Sequence, residues 1–395
     1  MVCVELCLDS ATGLGLYLHI PFCQSRCIYC DFYLELEKHS DVQGFTRALR
    51  LELLARLKNL TPWLQTHWSA GPLRSIYFGG GTPSLLPASD VATLLSIIRD
   101  HGPPQTPAIE VTLEANPASF TDPPEAYRQA GINRLSLGVQ SLHDDELKRL
   151  SRRHTRREAL ASLETIFHAG FNNVSVDLMY ALPGQTQASW VQSLDTLLAY
   201  PVSHVSIYGL KVEPGTPLAQ LQHFPRYQLP EDDAALAMRA WCVARLAEAG
   251  LSRYEISNFA RPGLESQHNL HYWRGGAYLG LGPGAHGLLP GLHYENTPQL
   301  QRYTDNPLQC CLTPWDEQQH LAHALIFGLR LAEGVHLPTL KQRYGLDVMH
   351  VYEPTLPALL ASGRLHWCPQ QERLRLPPAF WEQSNDILKE LLPAR

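Results

Sequence analysis

The apolar positions fall into short buried runs separated by longer amphipathic stretches. The run Leu18-His-Ile-Pro-Phe22 leads into Cys23 and predicts a strand with Cys23 on the loop that leaves its C-terminal end. Phe45, Leu49, Leu53, Leu54 and Leu57 recur at helical spacing through 44–58, so an amphipathic helix follows. Ser75–Phe78, Ile109–Leu113, Arg134–Val139, Asn173–Met179 and His204–Leu210 read as further strands, with helical patterns such as Val91–Ile98 between them. Strands apolar on both faces and separated by helices predict a parallel sheet covered by helices. Cys23, Gly79, Glu114, Gln140 and Tyr208 all stand at C-terminal strand ends, where a βα barrel collects its chemistry. The fold class expected is α/β, a partial (β/α)6 barrel with about three-quarters of the units of a full barrel and a lateral opening.

Beyond Val212 the pattern changes. Residues 230–249 are helical, with Leu236, Met238, Trp241, Cys242 and Leu246 available for packing, and 257–291 is glycine-rich and expected to be irregular. From Thr313 helices are expected near 317–331, 338–344 and 351–362, then a hairpin from Arg364-Leu-His-Trp367 and Arg373-Leu-Arg-Leu376, then a helix over 379–392. The chain divides into a barrel over 1–212, an extension over 213–312 and a winged-helix-like C-terminal domain over 313–395.

With 395 residues, 45% of them hydrophobic and 18% charged, the chain can bury a large core and carries no sign of extensive disorder. A net charge of −6 argues against a nucleic-acid partner, although Lys148, Arg149, Arg152, Arg153, Arg156 and Arg157 form a local basic cluster. The N-terminus carries no basic, apolar leader, and no stretch reaches the roughly 20 apolar residues of a membrane span, so a cytoplasmic location is expected.

Cys23, Cys27 and Cys30 are spaced C-x3-C-x2-C. Three close thiolates can ligate three irons of a 4Fe-4S cluster and leave the fourth open to a non-protein ligand. Nine cysteines in 395 residues is too sparse for a disulfide framework. A structural zinc site is the alternative on the cysteines alone, with His19 or His39 as fourth ligand. Cys3, Cys7, Cys242, Cys310, Cys311 and Cys368 have no interpretable spacing and are expected to be ordinary reduced thiols.

The cysteine spacing, with Tyr17 before it and Tyr29 ahead of the last cysteine, resembles the radical S-adenosylmethionine (SAM) superfamily. That resemblance implies a 4Fe-4S cluster on Cys23, Cys27 and Cys30 whose open iron binds SAM and reduces it to release a 5'-deoxyadenosyl radical. It also implies that Gly79-Gly80-Gly81-Thr82 holds the SAM amino group, that Glu114 binds the ribose, and that Gln140, Arg152 and Asp177 face SAM or substrate. Without it, the glycine run is equally a sharp strand-to-helix turn, and Glu114 a helix cap or surface residue.

Leu18-His-Ile-Pro-Phe-Cys23, Gly79-Gly-Gly-Thr-Pro83, Leu137-Gly-Val-Gln140 and Leu182-Pro-Gly-Gln185 further resemble the family of the oxygen-independent coproporphyrinogen III dehydrogenases and their heme-chaperone relatives. Phe32 stands where the dehydrogenases carry a further cysteine, and only 22 residues precede Cys23, where they have a longer arm. His268-Asn-Leu-His-Tyr272-Trp273 resembles the heme motif of the chaperone branch. The branch implies heme as a third cofactor, His268 as its iron ligand, and Tyr272 and Trp273 as its packing. It implies as partners an acceptor hemoprotein, which can be membrane-associated, and an electron donor for the cluster. The activity expected is heme delivery; dehydrogenation of coproporphyrinogen III propionates is the alternative.

Overall fold

The computed structural model describes residues 13–67 and 71–392; Cys3, Cys7 and the N-terminal stretch read above lie outside them. Strands β1 (Leu14–Ile20), β2 (Leu73–Gly80), β3 (Gln105–Ala115), β4 (Arg134–Gln140), β5 (Val174–Tyr180) and β6 (His204–Gly209) pair in parallel in that order. Helices connect them, as parallel crossovers require. The sheet curls without closing, which makes the fold the partial barrel expected from the strand pattern.

One expectation about those strands needs correcting, because they alternate. Leu14, Leu16, Leu18 and Ile20 belong to the main apolar core with Phe45, Leu49 and Leu53 of the helix Val42–His67. Gly15, Tyr17 and His19 face inward instead, and so do Ser75, Tyr77 and Gly79 of β2. Both faces are buried, so burial looks continuous, but the inner one is polar. Arg134, at 2% exposure, lies 3.8 Å from Glu110, and His204 Nδ1 is 2.7 Å from Ser175 Oγ.

Residues 257–291 are not irregular. They supply β7 (Asn258–Ala260), antiparallel to β6, then the helix Gln267–Trp273, then β8 (Ala277–Leu281), which pairs in parallel with β1. Strands β9 (His286–Leu289), β10 (Leu292–Asn296) and β11 (Cys310–Pro314) continue antiparallel from β8, and the short strand Ser252–Arg253 pairs antiparallel with β7 at the other edge, which completes a 12-stranded sheet. The glycines disguised these elements: a Cβ on Gly280 would lie 1.8 Å from the His286 carbonyl oxygen, so the β8–β9 turn excludes a side chain there. Glu52, fully buried, ties this extension to the barrel. Its carboxylate accepts from Arg56 Nε (2.7 Å), Gly282 N (2.9 Å), Asn296 Nδ2 (2.7 Å) and Tyr303 OH (2.7 Å).

The helix Asp232–Glu248 buries Met238, Cys242 and Leu246, whereas Leu236, expected to pack, is exposed. Leu321, Leu325, Leu340, Leu356, Leu359, Leu374 and Trp381 form a second apolar core of their own. The helix expected over 351–362 is split at Pro354 into Val348–Val351 and Thr355–Ala361. The wing has a third strand, Val335–His336, beside Arg373–Arg375 and His366–Cys368, and the closing helix is a 3-10 turn, Pro378–Gln383, running into Ser384–Lys389. No helix among the described residues is long and apolar enough to cross a membrane.

Candidate functional site

Where β1 ends, Phe22–Cys23 pairs with Glu35–Leu36, so the intervening segment closes into a loop over the barrel mouth. The loop is pinned from two sides, Ile28 N donating to Leu150 O (3.4 Å) and Leu218 N to Ile28 O (2.8 Å). Cys23, Cys27 and Cys30 all open on one cavity of about 530 Å³. Cys23 Sγ lies 3.5 Å from the Thr82 hydroxyl, which accepts from Asn116 Nδ2 (2.8 Å). Arg152 donates through Nη1 to Cys27 Sγ (3.5 Å) and through Nη2 to Gly138 O (2.5 Å) and Asn116 Oδ1.

Burial pushes the Cys23 thiol up to about 11 and also raises Cys30, so metal binding must displace their protons. The donor set suits a cluster. All three thiols face one space, Arg152 offsets thiolate charge, and the exposed Phe32 lines the cavity without offering a fourth ligand. Among the described residues no three His, Cys, Asp or Glu side chains are arranged to grip a single metal ion.

Glu114 ends β3 beside the glycine turn. Its carboxylate accepts from Tyr77 OH at 2.6 Å and from Gly80 N at 3.1 Å, and its remaining edge faces the cavity. Burial pushes it up to about 7, with Asp177 adding to the rise and the bonds from Tyr77 and Gly80 opposing it. Gly80 has φ +112°, a conformation glycine adopts without strain, and that turns its N–H toward the carboxylate. Gly79 serves packing: a Cβ there would lie 2.8 Å from the Tyr17 ring and 2.9 Å from the Tyr77 ring.

Gly80, Gly81, Thr82, Gln140, Asp177 and Tyr29 join the cysteines, Glu114 and Arg152 around the cavity. Gln140 is turned inward by φ +67°, where the β4–β5 register slips. Burial raises Asp177, and hydrogen bonds from Ser206 and Ser136 oppose the rise. Tyr17 and Gly79 lie one layer deeper than the resemblance implies. The Tyr17 hydroxyl is 3.0 Å from His19 Nδ1, and its ring stacks on Tyr77 with centroids 6.2 Å apart. Asn116 and Tyr77 went unselected in the sequence; Tyr77 was signalled by inward alternation with Ser75 and Gly79.

His268 is placed at the opposite end of the barrel, on a helix rather than in a loop. Its helix plugs the floor. Glu110 accepts from Gln267 N and His268 N, both at 3.0 Å, and Ser75 Oγ lies 2.8 Å from His268 Nδ1. The imidazole is 2% exposed, stacks on Tyr77 with centroids 4.8 Å apart, and has no hydrogen-bond partner for Nε2. Tyr272 packs against it with centroids 4.5 Å apart, whereas Trp273 packs against Phe327 of the C-terminal region. An orphaned neutral imidazole nitrogen is the right donor for heme iron. In this structure Nε2 is sealed from solvent. His271, one turn along the same helix, is tied to the Ala277 carbonyl oxygen (2.6 Å), and His286 lies on the exposed side of β9.

Residues 17–197 match the family model of the Radical SAM superfamily, and residues 316–379 that of the HemN C-terminal domain. The fold resembles coproporphyrinogen III oxidase (HemN) from Escherichia coli, with a TM-score of 0.80 at 19% identity over 98% of this chain and 92% of that one. The class is thus that of radical SAM proteins with a HemN-type fold, which implies a 4Fe-4S cluster and SAM as cofactors. Heme chaperone HemW of Bacillus subtilis is 32% identical over 356 residues, covering 89% of this chain and 92% of its own length. Heme chaperone HemW of Mycobacterium tuberculosis H37Rv is 38% identical over 338 residues, covering 82% and 84%. The chain belongs to the HemW family.

Proposed function

We propose that this protein is a cytoplasmic heme chaperone on a radical SAM scaffold, holding one 4Fe-4S cluster through Cys23, Cys27 and Cys30 and passing heme to an acceptor hemoprotein. The observation that carries the reading is the convergence of three thiols on a cavity that also holds Glu114 and Arg152. Bound there, the cluster would supply an iron site for SAM and an electron from an outside donor. The chain's own residues orient the ligand: Gly80, Gly81 and Thr82 offer backbone and hydroxyl groups to its amino acid end, and Glu114 offers acceptors to its ribose. Gln140, Arg152 and Asp177 line further parts of the cavity. Arg152, bonded to Cys27, balances the charge of the thiolates.

Phe32 in place of a further cysteine, together with the similarity to heme chaperones HemW, favours heme delivery over propionate dehydrogenation. His268 supplies the iron ligand in this reading, with Tyr272 against the porphyrin. Anaerobic incubation of the cluster-loaded protein with coproporphyrinogen III, SAM and a reductant tests the choice. The chaperone reading expects no decarboxylated product while the same sample binds heme; product formation would make the protein the dehydrogenase instead.

A further inference from the structure

The two sites have one residue in common. Tyr77 donates from its hydroxyl to Glu114 Oε1 at 2.6 Å, on the cavity side, and packs its ring against the His268 imidazole, 4.8 Å between centroids and 22° between planes, on the floor side. We infer that Tyr77 is a positioning residue that couples the two sites, so that SAM and heme weaken each other's binding. This rests on the functional reading above, in which Glu114 meets SAM and His268 meets heme.

The sign follows from the contacts. A carboxylate offers about four lone-pair positions. Tyr77 OH and Gly80 N occupy two of those on Glu114, and the cavity-facing edge is free for ribose hydroxyls without displacing Tyr77. A ligand there braces Glu114 and, through it, Tyr77. Heme makes the opposite demand. His268 Nε2 has no access to solvent, so iron ligation requires the helix Gln267–Trp273 to lift, which breaks the Ser75–Nδ1 bond and strips the imidazole from the Tyr77 ring. Tyr77 then loses the nearer of the two stacking partners, His268 and Tyr17, that aim its hydroxyl at Glu114. The closed floor and the SAM-ready carboxylate are thus one state, the lifted helix the other, and each ligand selects its own. Linkage makes the effect reciprocal.

Contacts away from the cavity also hold the helix. Glu110 caps its N-terminus, and Ser75 bonds its histidine. Loosening Ser75 should favour the lifted state and leave the SAM contacts intact, which gives an independent handle on the same equilibrium.

The test uses full-length, anaerobically reconstituted protein with the cluster oxidised and no reductant, so that SAM binds uncleaved. Heme affinity is measured by Soret titration with and without saturating SAM, and SAM affinity by calorimetry with and without heme. In the parent, SAM should raise the heme Kd at least about fivefold, and heme should raise the SAM Kd by the same factor. Tyr77→Phe keeps the ring and removes the hydroxyl, and should bring both factors within about twofold of unity while each ligand still binds alone. Ser75→Ala should tighten heme about two- to tenfold and weaken SAM by less than about twofold, because the closed state still predominates. Parent heme affinity that is independent of SAM, a coupling that survives Tyr77→Phe, or SAM that strengthens heme binding would each overturn the inference while leaving the chaperone reading in place. A parent that binds no heme would overturn both.

Discussion

Replacing Glu114 with Ala removes the carboxylate on which β3, the glycine turn and the cavity meet. The side chain already accepts two protein hydrogen bonds, from Tyr77 OH at 2.6 Å and Gly80 N at 3.1 Å, and its free edge faces the cavity. Charge-assisted hydrogen bonds of this kind contribute about 1.5–3 kcal/mol. Loss of the ribose contacts should therefore weaken SAM binding by roughly one to two orders of magnitude. The same carboxyl adds a pH signature. Burial, reinforced by Asp177, pushes it up to about 7, so below that value it is mostly protonated and loses acceptor capacity. A ligand that prefers the ionised form binds more tightly as pH rises to about 7 and gains little above it, losing at most about tenfold per pH unit below. Calorimetric titration of SAM between about pH 6 and 8.5 should show this slope in the parent, and Glu114→Gln should remove that component. Iron and sulfide content, measured in parallel, should be unchanged. A variant with full cluster content and the parent's SAM affinity, or the parent's pH slope in Glu114→Gln, would refute the reasoning.

Cys23→Ala, Cys27→Ala or Cys30→Ala should each abolish iron and sulfide retention after reconstitution, while Cys310→Ala and Cys311→Ala, on the edge strand β11, should retain both; cluster loss in the latter pair would show the wrong ligands were chosen. Glu52→Ala leaves Arg56, Asn296, Tyr303 and Gly282 N without their shared acceptor, and should lower unfolding stability by about 3–5 kcal/mol in urea titrations; a loss under about 1 kcal/mol would mean that water replaces the carboxylate at little cost.

The barrel was legible because each parallel strand is largely buried, so that its sequence reads as a short apolar run between helical patterns. β4, expected over 134–139, spans Arg134–Gln140, and β5, expected over 173–179, spans Val174–Tyr180. The polar lining was less legible, because in Arg134-Leu-Ser-Leu-Gly-Val-Gln140 a small inward residue is easily taken for part of an apolar run. The helix Gln267–Trp273 was missed for another reason. Seven residues are too few to display a period, and its N-terminus is capped by Ser266 and by Glu110, which lies 157 residues away from Gln267 in sequence. Tyr77 reaches Glu114 across 37 positions and Ser75 reaches His268 across 193, so only the fold makes them neighbours.

The central claim is that this protein carries heme through His268. Its most direct test is heme titration of the anaerobically reconstituted parent beside His268→Ala, with cluster content measured on the same samples. The account predicts lower heme affinity and altered Soret and visible bands in the variant, with the cluster at Cys23, Cys27 and Cys30 intact. Spectra and affinity identical to the parent would assign the iron to another ligand, and a parent that binds no heme would contradict the chaperone reading itself.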